Sequence, residues 1–135
     1  MPSADDQMSA VYGNSEAPLI VNVPEGAFNT PFNAGWNASG INPAFLTSFP
    51  EMADDTYATI GLDGPASASG LDSASDALLA EDPNQAITPF FLNQGETLLV
   101  ADQLIGSSWF ILSDASNASP NEDLGVLILQ ITTPG

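Results

Sequence analysis

Thr97-Leu98-Leu99-Val100-Ala101, Ser107-Ser108-Trp109-Phe110-Ile111-Leu112 and Leu124-Gly125-Val126-Leu127-Ile128-Leu129-Gln130-Ile131-Thr132 dominate the last third of the chain. Each run is short, rich in aliphatic or aromatic residues and bounded by turn formers, which is the signature of β-strands. Along the last run Leu127, Leu129 and Ile131 fall on one face, and Val126, Ile128 and Gln130 on the other. Apolar residues on both faces predict a central, doubly buried strand.

The same signal recurs upstream. Residues 8–12 and 17–23 flank the turn cluster Gly13-Asn14-Ser15-Glu16 and predict a hairpin, with Leu19, Val21 and Val23 sharing one face. Residues 56–62 alternate Tyr57, Thr59 and Gly61 against Ala58, Ile60 and Leu62. Helix is scarce. Asn42 before Pro43 reads as an N-cap followed by proline at the first helical position, closed by Pro50, and residues 75–81 predict another two turns. Residues 64–71, all Gly, Pro, Ser, Ala and Leu, read as loop. With no repeat and no linker, the expected fold is all-β. It is one domain over residues 1–135, an antiparallel β-sandwich of jelly-roll or immunoglobulin-like type, with long irregular loops and one or two short helical turns.

Composition limits function more sharply than any motif. The 135 residues include no Lys, Arg or His against 17 Asp and Glu, a formal charge of −17. An average chain of this length carries roughly 15–20 basic residues. Acidic disordered tails lack apolar residues, whereas 44% of this chain is hydrophobic, so it is expected to fold. Nucleic acid is excluded as a partner, because its binding relies on Lys and Arg displacing counterions. Anionic membranes are excluded on the same ground, and no apolar run approaches the ~18 residues of a span. The opening Met1-Pro2-Ser3-Ala4-Asp5-Asp6 has neither the basic nor the apolar region of a secretory signal. The expectation is a chain made without such a signal, or a processed piece. Cysteine is absent, so no disulfide framework exists.

Catalysis finds little support. Ser and Thr hydroxyls need a neighbouring base, and neither His nor Lys is present to serve. The adjacent acids Asp54-Asp55, Glu81-Asp82 and Glu122-Asp123, with Trp36 and Trp109 to stack on a sugar, make a carboxylate-dependent glycosidase a distant third reading. Calcium takes six to eight oxygen ligands, and two clusters offer them: Asp114, Asn117, Asn121, Glu122 and Asp123 in a polar loop, and Asp63, Asp72 and Asp76. Neither follows the EF-hand spacing. Structural Ca²⁺ is the one cofactor the sequence leaves room for. The aromatic set Phe28, Phe32, Trp36, Phe45 and Phe49 lies in an irregular stretch and has two readings. The rings anchor a long loop to the core, or some of them face another protein subunit, where aromatics concentrate binding energy.

The blocks Val11-Tyr12-Gly13-Asn14, Gly40-Ile41-Asn42-Pro43-Ala44-Phe45 and Asp54-Asp55-Thr56-Tyr57-Ala58-Thr59-Ile60-Gly61, with the closing run 124–132, span most of the chain. Together they resemble an uncharacterised group of acidic, β-rich modules of marine bacteria, algae and their viruses. The resemblance implies an extracellular or virion-surface setting in seawater and lends no activity. Such modules carry further strands before the Val-Tyr-Gly block, so here the chain is a minimal version or a neighbouring chain completes its sheet. The expected role is therefore non-enzymatic: a structural subunit displayed on a larger assembly, oligomeric in that setting, such as a capsid decoration protein of a marine virus. The alternative is a secreted matrix or adhesion module stabilised by Ca²⁺. A further expectation concerns pH. Uncompensated carboxylates should have raised pKa values on average, making the fold more stable near pH 5 than near pH 8 at low salt.

Overall fold

The computed structural model describes residues 3–134. The strands are β1 (Ala10–Gly13), β2 (Leu19–Ala27), β3 (Tyr57–Ala58), β4 (Leu78–Ala80), β5 (Glu96–Ala101), β6 (Ser107–Phe110) and β7 (Leu129–Gln130). Two single-turn helices, α1 (Pro43–Leu46) and α2 (Pro89–Leu92), and several 3₁₀ turns complete the chain. Strand residues outnumber helical ones, 25% to 17%. All ladder pairings between strands are antiparallel and form three small sheets, β1-β6-β4, β2-β5 and β3-β7, around a shared apolar core.

Residues 97–101 and 107–112 contribute Leu99, Ala101, Trp109 and Ile111 to that core. β6 lies between β1 and β4, aligning Val11, Trp109 and Leu79 in one row and Ala10, Phe110 and Leu78 in the next. The first row points inward and buries Trp109 to 1% exposure. The Trp109 ring meets Phe91 edge-on at 5.9 Å, and Phe91 meets Phe90 at 5.1 Å, the T-shaped geometry that ring quadrupoles favour. The indole N–H donates to the carbonyls of Thr59 and Ile128, each at 3.1 Å. One side chain thus joins the β6 sheet to the backbone beside β3 and β7. In the second sheet Val21 opposes Leu99 and Leu19 opposes Ala101, until the register shifts between Asn22 and Ala27. Pro24 has no N–H for the ladder, and Gly26 takes φ +86°, where a Cβ would press on the Gly95 backbone at 3.0 Å.

Three sequence expectations are corrected. Residues 8–12 and 17–23 do not pair with each other: β1 joins β6 and β2 joins β5. The Asn14 side chain accepts from the N–H groups of Glu16 and Ala17, and this tight turn carries the chain from one sheet to another. Residues 75–81 form no helix; Leu78–Ala80 is strand, because Leu79 fits opposite Trp109 in the β6 ladder. The last run is not a doubly buried centre. Only Leu129–Gln130 is strand, and Leu127 and Ile131 are exposed. The doubly buried segment is 55–60, every residue of which is buried. A β-sandwich in the strict sense is not established by these short sheets; the β-rich antiparallel class is.

Candidate interface and cleft

Residues 28–65 carry most of the polar chemistry inside the protein. Asp55 is 1% exposed, and its carboxylate accepts the Thr30 N–H on Oδ1 at 2.8 Å and the Asn33 side-chain amide on Oδ2 at 2.9 Å. Burial pushes its pKa up to about 6, against opposing hydrogen bonds from Thr30, Asn33 and Thr56. Asn33 is itself buried. Its amide also donates to the Asn37 carbonyl at 3.2 Å, and its oxygen accepts the Gly35 N–H at 2.9 Å. A Cβ at Gly40 would collide with this carboxamide, which explains the glycine there. Asn37 donates to the Ala77 carbonyl at 2.9 Å and accepts the Ser39 N–H at 3.0 Å. These bonds bind an irregular loop to the buried 55–60 segment, in place of a regular ladder.

That loop divides the five aromatic candidates. Phe28 and Trp36 are half-buried, and Trp36 packs on the main core and so acts as an anchor. Phe32 and Phe49 stack on each other, with centroids 4.2 Å apart and planes 28° from parallel, yet remain 45% and 37% exposed. Phe45 is 51% exposed and lies one helical turn before Phe49, whose N–H donates to the Phe45 carbonyl at 2.8 Å. Asp55 holds the patch in shape from behind: it ties Thr30 and Asn33, on either side of Phe32, to the segment that follows Phe49.

Beside the patch, Ile41, Pro43, Leu46, Ala53, Leu62 and Pro65 wall a cleft of about 260 Å³. α1 forms one wall. Asn42 caps it by accepting the Ala44 N–H at 3.0 Å, as its position before Pro43 predicts. At the polar end are Tyr57, Gln130 and Asp63. The Gln130 amide donates to the Ala53 and Asp55 carbonyls, each at 2.8 Å, which leaves Oε1 facing the Tyr57 hydroxyl at 3.5 Å. Burial first, then the carboxylates of Asp63 and Asp55, push the Tyr57 phenol up to about 12. The cleft had no sequence signature, because its lining comes from turns at 41–69 and from Gln130 far along the chain.

The loop 114–123 is arranged differently from the open polar loop the sequence predicts. Asn117 is 2% exposed and fully committed: its amide donates to the carbonyls of Ile60 at 2.7 Å and Ser75 at 2.9 Å, and its oxygen accepts the Ser75 N–H. The Asn121 oxygen accepts the N–H groups of Asp123 and Gly125, while Asp114, Glu122 and Asp123 are exposed. Among the described residues no three acidic side chains gather as a cation site. The adjacent acid pairs also diverge. Asp55 is buried beside an exposed Asp54, and Glu81 turns to accept the N–H groups of Ile87 and Thr88 while Asp82 accepts that of Asn84. No described helix is long and apolar enough to cross a membrane. Compared with protein-family models, with curated proteins and with solved structures, the chain finds no match.

Proposed function

We propose that this protein is a non-enzymatic structural subunit that docks onto a larger protein assembly through Phe32, Phe45 and Phe49. The exposed Phe32–Phe49 stack carries this reading. Two rings already packed on each other, over a buried hydrogen-bonded base, lose little freedom on binding, and preformed aromatic anchors of this kind supply most of the energy of an interface. Charge selects the occupant. With 17 acids and no base, a second copy is repelled, whereas a subunit presenting Lys and Arg around an apolar centre is attracted. The acidic remainder then faces solvent and keeps decorated particles apart. In the setting implied by the resemblance, that assembly is the virion surface of a marine virus.

Co-sedimentation with particles purified from the source tests the reading. The wild-type chain should pellet with them, and the Phe32→Ser/Phe49→Ser double variant, folded by circular dichroism, should remain in the supernatant. Equal pelleting of both, or of neither, counts against docking through this patch.

A further inference from the structure

The cleft beside the patch presents an unusual combination. Its walls are aliphatic side chains and prolines, and its lining also includes the buried Tyr57 hydroxyl beside Gln130 Oε1 and the solvent-exposed Asp63, whose charge acts on Tyr57. Both protons of the Gln130 amide are committed to backbone carbonyls, so this group faces the cleft as an acceptor. The chain contains no Lys, Arg or His to neutralise these oxygens from within. Anionic ligands therefore meet repulsion and find no cation. At about 260 Å³ the cleft lies below the roughly 300–1,000 Å³ of sites for drug-sized ligands, a size suited to one flexible side chain or a small amine.

We propose that this cleft is a receptor for a primary alkylammonium group: a short aliphatic stem against Ile41, Leu46, Leu62 and Pro65, with its cationic head among Asp63, Gln130 and Tyr57. An ammonium carries three donors and no acceptor, which matches an end lined by oxygens. A lysine of a docked partner and a free alkylamine share this chemistry. The inference goes beyond docking through the aromatic patch and stands apart from it, because amine binding is read on the isolated chain.

The test is a two-dimensional NMR titration at constant ionic strength with n-butylammonium, n-butanol and an acetyl-lysine-amide peptide. Butylammonium should produce saturable shifts at Leu46, Leu62, Tyr57 and the Gln130 side-chain amide. Asp63→Asn should weaken binding about fivefold, the size expected for one partly solvated ion pair. Ala68→Phe, which places bulk at the cleft lining, should abolish it. Tighter binding of the lysine peptide than of butylammonium assigns the site to a partner's side chain, and equal or weaker binding assigns it to a free amine. Butanol binding as well as butylammonium, shifts that never saturate, or an Asp63→Asn variant of unchanged affinity would each overturn the proposal.

Discussion

Asp55 shows how one residue couples this fold to pH. Its folded-state pKa is raised from 3.8 to about 6, so between those values the folded chain holds more proton than the unfolded one. Stability from this group is then full below about pH 4, falls as pH rises through about 6, and is flat above. The full shift sets a ceiling near 3 kcal/mol, and solvent screening reduces the expected effect to about 1–2 kcal/mol. Urea midpoints of wild type and Asp55→Asn at pH 4 and pH 7.5 check it, since contributions from other carboxylates cancel in the difference. Because the protonated carboxyl at pH 4 faces the Thr30 and Asn33 donors much as the variant's amide does, and only wild type titrates, the variant's stability relative to wild type should rise by about 1–2 kcal/mol between pH 4 and pH 7.5. A difference independent of pH would show that Asp55 is not titrating in this window. Asn117 makes a second residue-scale case. Asn117→Ala strands the Ile60 and Ser75 carbonyls and the Ser75 N–H, so about 2–4 kcal/mol should be lost in chemical denaturation. A cost under ~1 kcal/mol would mean that water replaces the side chain.

At the scale of elements, local chemistry was readable and long-range pairing was not. The α1 cap and the inward alternation of Leu19, Val21 and Val23 follow directly from residue order. The hairpin failed because the Gly13–Glu16 turn specifies a reversal without specifying a partner, and a Cβ on Gly13 would collide with Leu19 at that tight crossing. The 75–81 segment failed because its two leucines suit either period, and only the place opposite Trp109 selects strand. The 55–60 segment hid its burial: Asp55, Thr56 and Thr59 are polar, and Thr30 and Asn33 satisfy the first, the Thr132 N–H the second and the Leu62 backbone the third. The aromatic set was found as a set, but the division between anchors and exposed rings depends on that polar base. It yields a prediction for the loop as a unit. Phe32→Ser and Phe49→Ser should each cost about 0.5–1.5 kcal/mol, the worth of their mutual stack, while Trp36→Ser should cost about 2–4 kcal/mol. Equal thermal losses in all three would make the exposed rings part of the core and weaken the docking reading.

For the whole molecule, net charge acts on stability with a fixed sign. Seventeen carboxylates without one basic side chain repel more strongly in the compact chain than in the expanded one. Screening acts on that difference: the Debye length falls from about 30 Å at 0.01 M to about 8 Å at 0.15 M and 3 Å at 1 M. Thermal unfolding at pH 7.5 should therefore rise steeply with NaCl up to a few tenths molar and then level off. A gain of 1–2 kcal/mol corresponds to roughly 4–12 °C for a domain of this size. Millimolar CaCl₂ provides the control, compared with NaCl at matched ionic strength. Equal shifts identify screening alone, as expected where Asn117 is spent on Ile60 and Ser75 and the acids of that loop point outward. A larger shift with calcium would identify a specific site and favour the matrix-module alternative. A melting temperature insensitive to both salts would show that repulsion is already relieved, and the charge would then no longer argue for a basic partner.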